Sequence, residues 1–422
     1  MAELLASLEN YRVSPESGFL PSCPPLERLP NPYYEPWETV ATSLAKFIDN
    51  GTLKKRVHTM PVLSTAFVLT EEEWRRAYVI LGFVCNGYLF GGDNPPDRLP
   101  LSISQPMIEV SSYLGLPPVP TYAGQALWNF RRVGDSYLAL RPEDVETLVS
   151  FTGSSEESGF FAVILSIEAR GAELIPTMLE GIEAARRQDA RLLMDCFQTA
   201  AGVLTDIASL LQGMYKNCNQ EFFYHRLRPF LDGIRNLDSV GLPDGVFFEE
   251  KHGGQYRKYF GPSNAQSSLF AFIDITLGIK HKQEGFEGKT ATHKNTYLKE
   301  MRIYMPRPHR ELLNDVERVA NIREFVCAHP EDMRLQDTYT NLAALAHVRQ
   351  AHIQMVARYV VIMAKRPLAE KSDGQLNSDA RRGEGVNGTE GTSSMSFLKS
   401  VRNSVLQAKG ETASKIHAYP QR

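Results

Sequence analysis

Hydrophobic residues recur every three or four positions along most of the chain, which is the spacing of amphipathic α-helices. This spacing predicts helices at residues 37–49, 103–114, 160–216, 221–234, 266–278, 295–304, 310–328, 337–364 and 397–409. Thr70 and Glu73 form a capping box that is predicted to open a further helix ending near Tyr88. Alternating patterns typical of strands are scarce, so the chain is predicted to adopt an all-α fold.

Breaks in the pattern refine this prediction. The helical stretch 160–216 is expected to be interrupted near Gly171, Pro176 and Gln188. The stretch 136–140 is the only candidate for a short strand or hairpin, and Pro142 is expected to begin the next helix. Residues 1–33 are rich in proline, and we expect them to run as an extended arm across the surface.

The segment 366–396 is rich in Gly, Ser, Asn and Asp and has almost no apolar residues. Such a composition is typical of a disordered linker. Because a predicted helix follows it, the segment is an internal loop, and long internal loops beside a core often act as lids. The residues alone leave both interpretations open.

Composition limits the classes of function. The chain has 422 residues, of which 43% are hydrophobic and 23% charged, and its net charge of −3 argues against a nucleic-acid partner. The five cysteines are scattered, and their spacing suggests neither a disulfide framework nor a zinc site. The N-terminus does not resemble a signal peptide, and no apolar run is long enough to cross a membrane. We therefore expect a soluble cytoplasmic protein without a membrane partner.

The predicted helix around residues 343–362 places a histidine in an apolar stripe. His352 shares a helix face with Leu345, Val348, Met355 and Tyr359, whereas His347 points elsewhere. A histidine in such a position is either a core residue bonded to a carbonyl or an axial haem ligand. Arg349 lies one turn away, where it would reach a haem propionate or extend to solvent. The pattern alone does not decide between these interpretations.

Common catalytic motifs are missing from the sequence: GxSxG, the P-loop, GxGxxG after a strand and HExxH. In FFYHRLRPFLDG, Phe223 and Arg228 lie five residues apart and so do not share the face of an α-helix. Both can still reach the rim of a pocket, where Arg would hold a carboxylate and Phe would cover an aromatic ring. The alternative is a solvated arginine beside a core phenylalanine.

Two motifs carry a resemblance to a known family. They are GPSNAQSS at 261–268 and LKEMRIYMPRPHR at 298–310, in which Tyr304, Met305, Pro306, His309 and Arg310 hold characteristic positions. With them, the chain resembles an indoleamine 2,3-dioxygenase of the fungal type from NPYYEPWE at 31–38 to FLKSVR at 397–402. The resemblance implies a multi-helix haem-binding fold, with a smaller N-terminal domain at 1–150 and a larger haem-binding domain at 151–422.

The resemblance also implies a set of site residues. His352 matches the haem iron ligand, and the haem b contacts match Arg349, Asp274, Phe270 and Ala265. Substrate contacts match Arg228, Phe223, Tyr122, Phe160, Ile164, Ser263 and Thr389, the last of these within the mobile loop 366–396. No side chain is implied as a catalytic acid or base, because the cofactor carries the difficult chemistry.

The implied activity is oxidative opening of the indole C2–C3 bond of L-tryptophan by haem and O2 to give N-formylkynurenine. This reaction belongs to tryptophan catabolism through the kynurenine pathway, and the protein is expected to act as a monomer. Ile164 and Gln125 depart from the serine and the cysteine of well-known members, and Pro262 and Glu390 replace glycines. These departures favour two alternatives: a diverged haem oxygenase acting on another indole, or a haem-binding sensor without turnover.

Overall fold

The computed structural model describes residues 7–133, 140–281, 296–342, 344–366 and 394–417. Helices dominate these residues, which confirms the predicted all-α class. In chain order they are α1 Glu35–Thr42, α2 Leu44–Asp49, α3 Leu53–Thr59, α4 Glu71–Phe90, α5 Leu101–Leu114, α6 Ser155–Gly171, α7 Leu174–Arg186, α8 Ala190–Gln212, α9 Met214–Asn217, α10 Gln220–Phe222, α11 Ser268–Thr276, α12 Thr296–Arg302, α13 Arg307–Val319, α14 Ile322–Ala328, α15 Met333–Asn341, α16 Ala344–Val356, α17 Met363–Lys365 and α18 Ser394–His417.

Shorter segments connect these helices. The 3-10 turns are Leu8–Tyr11, Pro32–Tyr34, Thr65–Phe67, Pro142–Asp144, Arg228–Leu231, Asp238–Val240 and Asn264–Gln266. Three further segments form π-helices: Ala123–Leu127, Phe223–Leu227 and Ala357–Ile362. A π-helix bonds each N–H to the carbonyl five residues earlier, and such segments are frequent at functional sites.

Strands are more numerous than the sequence predicted. β1 Arg98–Leu99 pairs in parallel with β4 Val246–Glu250, which forms a hairpin with β5 Gly253–Arg257. β2 Phe130–Arg132 pairs with β3 Val145–Thr147, so the expectation of a single strand is wrong. The hairpin candidate at 136–140 falls largely on 134–139, outside the described residues, between β2 and β3. Pro142 opens only a 3-10 turn, because the chain then pairs with β2.

Several predicted helices are divided in the structure: 37–49 falls on α1 and α2, 337–364 on α15 to α17, and 221–234 on α10 followed by a π-helix and a 3-10 turn. Pro176 does not interrupt the helix, because it is the third residue of α7. The N–H groups of the first helical turn have no carbonyl partner within the helix, so a proline there removes no hydrogen bond. The predicted helix 310–328 is two helices, since α13 ends at Val319 and α14 begins at Ile322. By contrast, Thr70 caps α4 as predicted, accepting a hydrogen bond from the Glu73 N–H at 3.3 Å.

The buried apolar side chains form two cores. One gathers residues mainly from 20–165 and 227–260, and the other gathers residues mainly from 163–224 and 269–363 together with Leu8, Val13 and Phe19. The proline-rich arm therefore contributes side chains to both cores. The domain boundary predicted at residue 151 stays a prediction. Within the described residues, no helix combines the length and apolar character needed to cross a bilayer.

Candidate active site

A cavity of about 610 Å³ lies where the two cores meet, a volume that suits a cofactor or small ligand. Its walls come from α6, α8, α11, α16, the loop 261–267 and the three π-helical segments. Eleven of the residues predicted for the site line it: Tyr122, Phe160, Ile164, Phe223, Arg228, Ser263, Ala265, Phe270, Asp274, Arg349 and His352. Thr389 and Glu390 lie outside the described residues.

His352 extends from α16 into this cavity, whereas His347 on the same helix is exposed. Burial, followed by the positive charge of Arg349, lowers the pKa of His352 to about 4. The imidazole is therefore neutral near pH 7, so its unprotonated ring nitrogen has the chemistry of a metal ligand. Nε2 of His352 lies 3.4 Å from Nδ2 of Asn264, within hydrogen-bonding distance, so a metal bound at Nε2 would replace this contact.

Arg349 lies one helical turn before His352 and holds two elements beside it. Its guanidinium forms an ion pair with Asp274 of α11 and donates a hydrogen bond of 3.0 Å to the carbonyl of Val401 in α18. Asp274 also contacts Nε2 of His281 at 2.8 Å. Burial alone would raise the pKa of Asp274, but the charges of Arg349 and His281 outweigh it and hold that pKa below its ordinary value. Arg349 as a propionate partner stays a prediction.

Arg228 and Phe223 both line the cavity. The side chain of Arg228 is 4% exposed, and its guanidinium lies 5.1 Å from the centre of the Tyr224 ring. Phe223 packs against Phe160 with ring centres 5.1 Å apart, and against Tyr359 at 5.6 Å. The cavity is therefore lined by a buried cation and by aromatic rings packed in tilted and edge-on contacts, a combination that suits an aromatic amino acid.

A buried polar network supports the wall that carries Tyr122. The Tyr122 hydroxyl and the Ser267 hydroxyl each donate to Oε1 of Glu168 at 2.7 Å. Gln266 accepts from the Tyr122 N–H at 2.9 Å and donates to the Gly261 carbonyl at 2.8 Å. The network joins α6, the loop 261–267 and the π-helical segment 123–127, so the wall is rigid. Burial raises the pKa of Glu168.

Glu168 is a residue of this wall that was not predicted from the sequence. Its signal was one acidic residue in the apolar run of α6, four positions after Ile164 and therefore on the same side of the helix. Ionisable residues are rarely buried unless they are paired. An acidic residue on an apolar helix face therefore indicates a buried carboxyl group with polar partners. The partners Tyr122 and Ser267 come from distant parts of the chain, which periodicity does not bring together.

The motif 298–310 has a structural role. Arg310 donates to the carbonyls of Gly115, Ile303 and Met305 at 2.8–3.1 Å, tying α13 to the end of α5. Gly115 has a φ of 66°, where a side chain would be strained and would also meet Arg307. Nδ1 of His309 lies 3.2 Å from the Ser268 hydroxyl, which connects α13 to α11. Gly115, His309 and Arg310 do not line the cavity, whereas Leu298, Arg302 and Met305 of the same motif do.

The residues around His352 fit a haem. A neutral imidazole is the nitrogen donor that haem iron takes, and Phe270, Val348 and Met355 supply apolar surface in the same cavity. The cation of Arg349 lies at the same wall, where it complements an acidic substituent. The donor chemistry, the cavity volume and the apolar lining are therefore mutually consistent.

Comparison with known proteins agrees with this geometry. The family model described as "Indoleamine 2,3-dioxygenase" matches residues 7–408. The chain is 47% identical to a "6-hydroxytryptophan 2,3-dioxygenase" of Fusarium equiseti, over 97% of this chain and 99% of that protein. It is 40% identical to an "Indoleamine 2,3-dioxygenase" of Penicillium citrinum over 98% and 92%, and 33% identical to one of Saccharomyces cerevisiae over 94% and 93%. The chain therefore belongs to the indoleamine 2,3-dioxygenase family of dioxygenases.

Proposed function

We propose that this enzyme uses haem b and O2 to open the C2–C3 bond of L-tryptophan, giving N-formylkynurenine. The observation that carries the proposal is a single cavity lined by a neutral imidazole, a buried guanidinium and a cluster of aromatic rings. These are the groups needed to hold a haem, an amino-acid carboxylate and an indole ring. The expectations of a monomer and of a cytoplasmic location stay predictions.

In this proposal, His352 would hold the haem iron, and Arg349, Asp274, Phe270 and Ala265, which line the same cavity, would border the cofactor. The ion pair of Arg349 with Asp274 and the bond to the Val401 carbonyl fix the orientation of α16. His352 is thereby presented in one direction. Ferrous haem, when bound, supplies the site at which O2 is activated.

The substrate residues act by binding and orientation. Arg228 is buried on one wall, so its fork of N–H groups is desolvated and binds the carboxylate strongly. Phe223, Phe160 and Tyr122 cover the indole and exclude water, while Ile164 and Ser263 complete the surface. Holding two reactants in one geometry supplies much of the rate gain in such a site. No side chain is assigned as a catalytic acid or base.

A second candidate substrate is a tryptophan that carries a hydroxyl on its benzene ring. The name of the Fusarium equiseti relative states 6-hydroxytryptophan, and that protein is 47% identical to this chain. The lining of the cavity includes Gln125, a polar residue, together with the apolar Ile164. Both candidates use the same cleavage chemistry and the same Arg228 contact.

The test is turnover by haem-loaded, reduced protein. The protein is given air with L-tryptophan, and the absorbance of N-formylkynurenine is followed together with the Soret band. Product formation supports the proposed reaction. A normal haem spectrum without product from any indole amino acid would contradict it and would favour a haem-binding sensor.

A further inference from the structure

The side chain of Asn264 projects into the cavity and reaches the proposed iron ligand. Asn264 is exposed and lines the cavity, and its Nδ2 lies 3.4 Å from Nε2 of His352. An amide NH2 group only donates hydrogen bonds, so Nε2 is the acceptor in this contact and the ring proton is on Nδ1. The lone pair of Nε2 that a metal would use is therefore directed toward the amide of Asn264.

The backbone that carries this amide is held in place, whereas the side chain can rotate. Two hydrogen bonds close the 3-10 turn there, from the Gln266 N–H to the Ser263 carbonyl at 2.9 Å and from the Ser267 N–H to the Asn264 carbonyl at 3.1 Å. The Gln266 side chain also accepts from the Tyr122 N–H at 2.9 Å. The Asn264 side chain turns about its own torsions in the open cavity, so it can leave Nε2 without a movement of the loop.

The contact with His352 indicates on which face of a bound haem Asn264 lies. A hydrogen bond and a metal approach Nε2 along a similar direction, because both use the same lone pair. An iron held by His352 therefore comes between Nε2 and the loop that carries Asn264, and it displaces the amide. Asn264 is then on the face of the macrocycle opposite to His352, which is the face where a diatomic ligand binds.

Other polar side chains near this loop already have partners or roles. The hydroxyls of Tyr122 and Ser267 both donate to Oε1 of Glu168, and the cation of Arg228 is assigned to the substrate carboxylate. The amide of Asn264 remains as a neutral donor once a metal has replaced its contact with the imidazole. Hydrogen-bond donors on this side of a haem decide how firmly O2 is held and how it is activated.

Building on the proposed haem site, we propose that Asn264 is a catalytic residue whose amide donates a hydrogen bond to the diatomic ligand of the haem iron, which is O2 in the reaction. The amide stabilises negative charge on this ligand without giving up a proton, so it acts as neither an acid nor a base. The same hydrogen bond orients the ligand relative to the indole, which contributes to the positioning of the two reactants.

The experiment compares four forms of the full-length, haem-loaded protein: wild type, Asn264→Leu, Asn264→Gln and Asn341→Leu. Leucine has nearly the shape of asparagine but no donor, and glutamine keeps the amide. Asn341 is the matched control, because it is exposed at the end of α15 and does not line the cavity. Carbon monoxide is the probe, because its C–O stretching frequency falls when a donor contacts the bound ligand. Infrared spectroscopy measures this frequency, and stopped-flow mixing without substrate measures the rate of O2 release.

Asn264→Leu should raise the C–O stretching frequency and release O2 roughly tenfold faster than wild type, because one charge-assisted hydrogen bond is lost. Asn264→Gln and Asn341→Leu should stay close to wild type. The iron–histidine stretch of the ligand-free ferrous protein should be the same in all four forms, since His352 is unaffected. An unchanged C–O frequency and O2 release rate in Asn264→Leu would overturn the inference. If Asn264→Leu does not fold or load haem, Asn264→Ala provides the same comparison.

These measurements separate the role of Asn264 from the proposed reaction, because neither carbon monoxide nor O2 release requires a substrate. A haem-loaded wild type that cleaves no indole amino acid would contradict the reaction, and the C–O frequency would still decide the role of Asn264. A wild type that binds no haem would overturn both.

Discussion

The backbone N–H of Arg228 donates a hydrogen bond to the carbonyl of Phe223, five residues earlier. In an α-helix, residues five apart lie about 140° apart, which is why the sequence analysis assigned these two to different faces. The wider turn of a π-helix brings such residues to the same side, and both side chains line the cavity. The expectation of different faces is therefore wrong, and the extra residue in the turn is the reason.

This arrangement makes Arg228 the first residue to test. Arg228→Met should raise KM for the amino-acid substrate and lower kcat/KM roughly tenfold to a hundredfold, because a charge-assisted bond to the carboxylate is lost. Haem content should not change. Steady-state kinetics and the Soret absorbance measure the two properties. Arg226→Met is the control, since Arg226 is substantially exposed and does not line the cavity. Unchanged kinetics in Arg228→Met would remove its assigned role.

The two histidines of α16 provide a matched pair. His352→Ala should lose haem, because its neutral imidazole is the proposed iron ligand in the cavity. His347→Ala should retain haem, since His347 is exposed on the same helix. The measurement is the ratio of Soret absorbance to protein absorbance after gel filtration. Equal haem content in the two variants would rule out His352 as the ligand.

Glu168 is predicted to stabilise the wall behind the substrate. Glu168→Leu leaves the hydroxyls of Tyr122 and Ser267 without an acceptor and should lower the free energy of unfolding by about 2 kcal/mol or more. Glu168→Gln keeps an acceptor oxygen and should cost roughly 1 kcal/mol or less. Urea denaturation measures both changes. The prediction fails if the two variants are equally destabilised.

The buried imidazole of His309 predicts a dependence of stability on pH. Burial, together with the charge of Arg75, lowers the pKa of His309 to about 3, from an ordinary value of 6.5. As the pH falls below 6.5, the unfolded chain takes up a proton that the native chain does not, so stability is full above 6.5 and declines below it.

His309→Asn tests this dependence. Asparagine keeps a polar atom near the Ser268 hydroxyl but does not titrate. Between pH 7.5 and pH 5.0, wild type should lose roughly 2 kcal/mol more unfolding free energy than the variant. Urea denaturation at the two pH values gives the difference. Parallel losses in both proteins would show that His309 is not the titrating group.

The sequence predicted most helices, because their apolar spacing depends on local residues alone. It predicted less where the structure depends on distant partners. β1 and β4 pair across about 150 residues, and Glu168 meets Tyr122 and Ser267 from separate elements. Periodicity contains no information about such pairings. The predicted site residues that the structure describes do share one cavity. They were predicted as a set from the family resemblance and not from residue spacing.

Phe160 and Phe223, which line the cavity, pack against both hydrophobic cores. Any ligand held there touches side chains that belong to each core. Ligand binding therefore stabilises the packing of the two cores against each other. The free energy of unfolding rises by an amount that grows with the logarithm of ligand concentration. If the ligand is the proposed haem, cofactor supply becomes a condition of the lifetime of the folded chain. Cells that run short of haem would then lose the protein itself through proteolysis, in addition to losing its activity.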